Sequence, residues 1–354
     1  AANRPDISVQ SHPGHGDSGL HNGTGPYKRF CYRVVYDGII FIYRLLMLSP
    51  IVIFCYRRGV RRLFDSLLCN SEFLDSEVFV FSDGFKNEED KQDVINVREQ
   101  LNEIQKFKIL HVHESPHNKG LADSVIHGVS KVIKTYGKVI VLEDDLEVSP
   151  FFLTYMNEAL DFYRDDMRLW SISGYAPPVL NDMHLRSDVF LFPRGSSWGW
   201  ATWKDRWDKV DWDVSRFDEL KNSKKLKRSF NKGGDDLFKM LELQVLGKID
   251  SWAIRWYFSQ FENQMKTLYP AFSLVKNHGF NDGYGTHTTG GYAKWDSEFM
   301  ISKLNVDCVD ESEDVETKMK AYRDISLLTK FGYFTRKYGG YHFFKKIQSL
   351  LFRH

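Results

Sequence analysis

Short apolar runs alternate with longer amphipathic stretches from residue 50 to about residue 163. "PIVIFCY" (50–56) is a compact β-branched run and predicts a buried strand. In "RRLFDSLL" (61–68), Leu63, Phe64 and Leu67 share one side, which predicts a helix. "EVFVFSDG" (77–84) predicts a second strand that ends on Asp83 and Gly84. Asn87 followed by three acids is a helix start, because a short polar side chain and negative charge both suit the helix N-terminus. Val94, Val97, Leu101 and Ile104 then mark the buried stripe. "FKILHVHE" (107–114) predicts a third strand. Residues 118–137 predict a helix with Ala122, Val125, Val129 and Val132 inward, stopped by Gly137. "KVIVLEDD" (138–145) predicts a fourth strand, and Ser149-Pro150 opens a helix carrying Phe152, Met156, Ala159 and Tyr163 on one face.

Repeated strand–helix alternation implies an α/β fold, with a mainly parallel sheet covered by helices on both faces. Right-handed crossovers place the strand C-termini on one edge, and ligands of such sheets bind there. Asp83 and the triplet Glu143-Asp144-Asp145 are therefore expected to converge.

Beyond residue 170 the alternation fades. Residues 168–175 and 188–203 are strand-like, with a Gly/Trp-rich loop in the second. Residues 221–232 carry a lysine cluster, 251–261 read as a helix, and 273–291 as a Gly-dense loop. "VDESEDVE" (309–316) reads as an acidic linker and 317–354 as a helical C-terminal tail. The expected organisation is an irregular extension over 1–48, the α/β domain over 49–300, and linker plus tail over 301–354. Residues 1–28, rich in Gly, His, Ser, Asn and Pro, have the composition of a disordered segment.

Composition narrows the function. A net charge of +1 gives no support to nucleic-acid binding. The four cysteines, Cys31, Cys55, Cys69 and Cys308, form no CxxC pair, which argues against a structural zinc site and fits a reducing compartment. Residues 39–56 approach the length of a membrane span, but Arg44 and Pro50 interrupt them; a split into an amphipathic piece and a strand is preferred over an anchor. The expected location is cytoplasmic, with anchoring through residues 39–56 as the alternative. The basic amphipathic end "FFKKIQSLLFRH" suits either the inner face of an anionic membrane or a closing helix.

Three acids closing a buried strand are costly unless something neutralises them. Asp145 on the turn is placed to hold a hard divalent cation through oxygen; an exposed acidic turn is the plain alternative.

"VIVLEDDLEVSPFFLTYMNEAL" resembles the strand–EDD–helix motif of nucleotide-sugar glycosyltransferases with the GT-A fold, a Rossmann-like sheet. It is most similar to the N-acetylglucosaminyltransferase I group and to bacterial sugar transferases of polysaccharide assembly. "NKGLADSVIHGV", "FPRGSSWGWATWKDRW" and "NDGYGTHT" extend the resemblance in order from residue 50 to about 295. The chain departs from the family pattern after the first strand, where "CYRRGVRR" replaces a Tyr-Asn-Arg-Pro-like turn.

The resemblance implies a metal-dependent, inverting transfer from a nucleotide-diphosphate donor, a UDP-sugar such as UDP-GlcNAc, to a glycan or lipid-linked acceptor hydroxyl. Asp145 and His287 match positions at a Mn²⁺ or Mg²⁺ ion, and Asp144 the donor ribose. Asp83, Asn118 and Lys119 match donor contacts, although Asp83 equally suits a turn and Asn118 a helix cap. Arg194 is a candidate for the diphosphate. Asp250 lies where relatives place the general base, and is equally placed for a helix cap. Asp235, Asp236 and Glu262 are in reserve. Trp198, Trp200 and Trp203 are suited either to stacking on a sugar or to core packing. Two rivals remain: a sugar-nucleotide nucleotidyltransferase of similar fold, and a non-catalytic glycan-binding module using the tryptophans.

Overall fold

The computed structural model describes residues 48–106, 108–181, 185–280, 301–323 and 327–338, with backbone alone for 327–331. The expectations for residues 1–47, for His287 and the "NDGYGTHT" motif, and for the tail beyond residue 338 lie outside the described residues.

The first half follows the hydrophobic pattern. Strand β1 (Ile51–Cys55), helix α1 (Arg61–Leu68), strand β2 (Val78–Ser82), helix α2 (Glu88–Ile104), strand β3 (His111–Glu114), helix α3 (Leu121–Tyr136) and strand β4 (Lys138–Glu143) succeed one another. The Asn87 side chain accepts the Asp90 N–H, so α2 is capped as its sequence predicts. Gly137 closes α3 at φ 75°, a left-handed geometry that favours glycine. Helix α3 begins later than expected, at Leu121 rather than Asn118, because Asn118 and Lys119 are held by Asp83.

After β4 the chain makes the short strand β5 (Leu146–Val148) and helix α4 (Phe152–Phe162). Strands β6 (Leu169–Ser173), β7 (Val189–Phe192), β8 (Trp200–Trp203), β9 (Lys266–Pro270) and β11 (Val309–Asp310) complete a nine-stranded sheet, while β10 (Val275–Asn277) pairs with β5 in a separate two-stranded one. The order is β11-β7-β9-β6-β8-β4-β1-β2-β3. Strand β8 lies antiparallel between β4 and β6, and β7 antiparallel to β9; the other neighbours in the sheet are parallel. The sheet is thus mainly parallel, as expected, with reversed strands in its second half.

Side chains alternate between two cores. Ile51, Ile53, Ile140 and Leu142 enter one with α1, α2 and α4. Val52, Phe54, Val139 and Val141 enter the other with α3 and helix α9 (Trp252–Glu262), which follows helices α5 (Lys204–Trp207), α6 (Phe217–Asn222), α7 (Lys224–Phe230) and α8 (Leu237–Val245). The expected lysine-rich stretch is therefore helical. Residues 309–316 are not a linker: Val309 and Asp310 add a strand beside β7. Glu313, Asp314 and Glu316 then fall in the first turn of helix α10 (Glu313–Arg323), where the helix dipole favours acids. Helix α11 (Leu327–Tyr338) continues the helical tail. Ile51–Cys55 form a buried strand, and no helix among the described residues is long and apolar enough to cross a membrane.

Candidate functional site

The C-terminal ends of β1, β2 and β4 are laced together by backbone. Asp144 N–H donates to Phe54 O at 3.0 Å and Asp83 N–H to Cys55 O at 3.0 Å. The Asp144 carboxylate accepts the Tyr56 N–H at 2.9 Å. Arg58, next along that loop, brings its guanidinium 3.8 Å from Asp144 and 3.6 Å from Asp145. These separations are Coulombic rather than hydrogen-bonded. The acids remain crowded: burial, then Asp145 and Asp144, push the Glu143 carboxyl well above the usual range, against the opposing pull of Arg58.

A second strand pair lies over this turn. Strands β5 and β10 pair antiparallel, with Leu146 opposite Asn277 and Glu147 opposite Lys276. His278 N–H donates to Asp145 O at 2.8 Å, and His278 Nε2 lies 2.7 Å from a Glu147 carboxylate oxygen. Gly279 then passes so close to Asp145 that a Cβ there would lie 2.3 Å from Oδ2. Phe280 meets Trp198 edge-on at 5.5 Å, and Trp198 meets Tyr175 at 4.5 Å. Asp144, Asp145 and Trp198 thus belong to one neighbourhood with Arg58, His278 and Glu147.

The other candidates are distributed differently. Asp83 is nearly buried, and its carboxylate accepts N–H groups of Gly84, Lys119 and Gly120 as well as the Asn118 amide. Asn118 also donates to Gly84 O at 2.8 Å. These two residues hold the loop before α3, which is the turn alternative anticipated for Asp83. Lys119 contributes its backbone to that cradle, and its side chain is exposed.

Arg194, expected at the diphosphate, is instead locked onto Asp236, at 2.7 and 2.9 Å, in a two-pronged, largely buried pair. A guanidinium held on both prongs by an internal carboxylate is already neutralised. Asp236 is thereby removed from the reserve bases, Glu262 is ion-paired with Arg216, and Asp235 stands 3.8 Å from Lys320.

Trp200 and Trp203 are core residues, 1% and 3% exposed. Trp200 packs against Trp207, Trp252 and Trp256, while the Trp203 indole N–H donates to Leu160 O at 2.9 Å. Three positions apart on β8, they enter opposite faces of the sheet, and both faces are covered. Neither is exposed to stack on a sugar, which leaves Trp198 as the half-buried member of the three. Asp250 precedes α9 with its side chain 64% exposed and 3.1 Å from Arg255. The cap of that helix is Ser251, whose hydroxyl accepts the Ile254 N–H at 3.4 Å.

Sequence reasoning left Arg58 in doubt as a donor contact and missed His278 and Glu147 as site residues. The first was legible only as a basic loop after a strand expected beside the acidic one. His278 stands nine positions before the chosen His287, and nothing local distinguishes the two.

Among the described residues no group of three or more His, Cys, Asp or Glu side chains closes into a complete metal cage. The donor set nevertheless fits a hard cation: carboxylate oxygens on a tight turn, excess negative charge, and a glycine that leaves the Asp145 carboxylate room. Mg²⁺ and Mn²⁺ sites of this kind use one or two carboxylates and complete their shell with phosphate and water.

A family model for the GNT-I family matches residues 45–228. Among solved structures, a mannosyltransferase from Pyrobaculum calidifontis in complex with GDP-Man and Mn²⁺ is 12% identical over 47% of this chain and 52% of its own, with a TM-score of 0.32. S. aureus TarS 1-349 is 11% identical over 67% of this chain and 62% of its own, TM-score 0.37. A UDP-glucose pyrophosphorylase complexed with UDP-glucose is 12% identical over 64% and 91%, TM-score 0.32. The chain spans about half the length of the mannosyltransferase and less than two thirds of TarS.

Proposed function

The chain belongs to the GNT-I family, and from that membership we propose that it is a metal-dependent glycosyltransferase working at the edge built from β1, β4 and the β5–β10 pair. The donor is a nucleotide-diphosphate sugar, a UDP-sugar such as UDP-GlcNAc, and the acceptor is a hydroxyl of a glycan or a lipid-linked sugar. The supporting observation is the acidic turn. Three carboxylates close a buried strand with Arg58 at 3.6–3.8 Å from two of them, and burial, then the neighbouring Asp145 and Asp144, raises Glu143.

Asp145 would hold a Mn²⁺ or Mg²⁺ ion, and His287, outside the described residues, is proposed to approach the same ion. Bound there, the cation supplies compensation for the negative charge of the departing diphosphate. Asp144 fastens the loop after β1 through Tyr56, and so shapes the wall where the donor ribose is proposed to lie. Arg58 offers its positive charge to the same edge. Trp198 is the one tryptophan of the cluster left half-buried at the site and is assigned to the sugar or acceptor. Asp250, exposed at the start of α9, is the proposed base that takes the proton of the acceptor hydroxyl in a single inverting displacement.

Calorimetric titration with UDP, with and without Mn²⁺, tests this on wild type and Asp145→Ala, followed by a donor panel scored for transfer. UDP binding strengthened by Mn²⁺ and lost in the variant supports the proposal. A folded Asp145→Ala protein that still transfers sugar ends the metal assignment.

A further inference from the structure

We propose that Glu147 and His278 form a positioning pair that fixes the main-chain turn carrying Asp145, and through it the carboxylate's working orientation, and that Gly279 is required beside it. The pair rests on the reading of Asp145 as the cation's ligand and identifies what steers that ligand.

Asp145 sits on a two-residue turn between β4 and β5, and a turn alone does not orient a carboxylate. A strand far along the chain adds a further constraint, with His278 131 residues from Glu147. His278 Nε2 lies 2.7 Å from a Glu147 carboxylate oxygen, within hydrogen-bond distance. The same residue's backbone N–H donates to Asp145 O at 2.8 Å. His278 therefore grips the acidic turn twice, by main chain at Asp145 and by ring at Glu147. The β5–β10 register delivers it there, since Asn277 opposite Leu146 places the next residue beside Asp145.

Gly279 follows at once, braced by its own N–H to Asn277 Oδ1 at 2.7 Å. With its bare Cα against the carboxylate, it defines one wall of the space Asp145 occupies. A Cβ at 2.3 Å from Oδ2 would be relieved most cheaply by rotating that carboxylate. The fold would survive and the ligand would be misdirected. Side chains that orient metal ligands without touching the metal are worth roughly 10–100-fold in metal affinity.

The test measures the Mn²⁺-dependent gain in UDP affinity of the full chain by titration calorimetry, with thermal unfolding as the check of fold. His278→Ala and Gly279→Ala are expected to lose that gain by about 10-fold or more, while UDP binding without metal stays at the wild-type level. Glu147→Gln keeps an oxygen for His278 and is expected to retain the gain, whereas Glu147→Ala loses it. That contrast separates positioning from mere stability. If His278→Ala fails to fold, Glu147→Ala against Glu147→Gln decides. Wild-type Mn²⁺ dependence in His278→Ala or Glu147→Ala, with Asp145→Ala inactive in binding, overturns the positioning pair alone. Wild-type Mn²⁺ dependence in Asp145→Ala overturns the metal reading on which it rests.

Discussion

Both oxygens of the Asp83 carboxylate accept the backbone N–H of Lys119, at 2.9 and 3.1 Å. Gly120 N–H adds a third bond at 3.0 Å, so a buried anion collects the donors that the start of α3 would otherwise leave unsatisfied. Asp83→Ala is expected to destabilise the fold by about 1–3 kcal/mol. Asp83→Asn falls between, because its amide nitrogen cannot accept. Urea unfolding reads both; wild-type stability in the alanine variant would show that the cradle carries no weight.

The Arg194–Asp236 pair makes a pH-dependent prediction. Burial alone would raise the Asp236 carboxyl, but the guanidinium of Arg194 outweighs it and holds the group below its ordinary value of 3.8. A carboxylate with a depressed folded value stabilises at pH above its unfolded value and loses that contribution as pH falls through the folded one. Asp236→Asn leaves a largely buried guanidinium without its countercharge and is expected to cost up to roughly 3 kcal/mol at neutral pH. The gap from wild type should narrow below pH ~4. A gap that stays constant from pH 7 to 3 would contradict the pair's role.

The tryptophans of the 192–207 motif should separate cleanly. Trp200→Ala opens a cavity among Trp207, Trp252 and Trp256 and is expected to cost about 3–5 kcal/mol. Trp198→Ala, half-buried at the site, is expected to cost about 1 kcal/mol and to raise the KM for the acceptor while donor binding persists. Equal stability losses in the two variants would count against the assignment of Trp198.

Gly128 sets two effects against each other. Alanine is the better helix former by about 1 kcal/mol. Its Cβ, however, would lie 2.7 Å from the buried Phe54 ring and 3.0 Å from that of Phe81. Overpacking of this kind costs about 1–3 kcal/mol, and the stacked rings, 5.5 Å apart, are both buried. Gly128→Ala is expected to lower the melting temperature; an increase would show that α3 can lift off the sheet.

What the sequence determined by itself is local. β-branched runs, glycine stops and helix-starting acids specify β1 to β4 and the helices between them, because a strand's or helix's hydrophobic period is written in consecutive residues. The acidic triplet at the end of β4 was legible for the same reason: an abrupt switch from apolar to charged marks an edge wherever the strand ends up. Strand direction in the second half was not legible, since a short apolar run such as "VFLF" or "WATW" reads the same in either sense.

Only the tertiary structure decided the partner of each charge and the face of each aromatic. Arg194 could have met a diphosphate until Asp236, forty-two positions away, took both its prongs. Trp200 and Trp203 could have met a sugar until two helical layers covered both sides of β8. His278 became a neighbour of Asp145 only through the pairing of two three-residue strands. Electrostatic pairing and burial depend on distance in space, and distance in space is what a sequence read residue by residue does not contain.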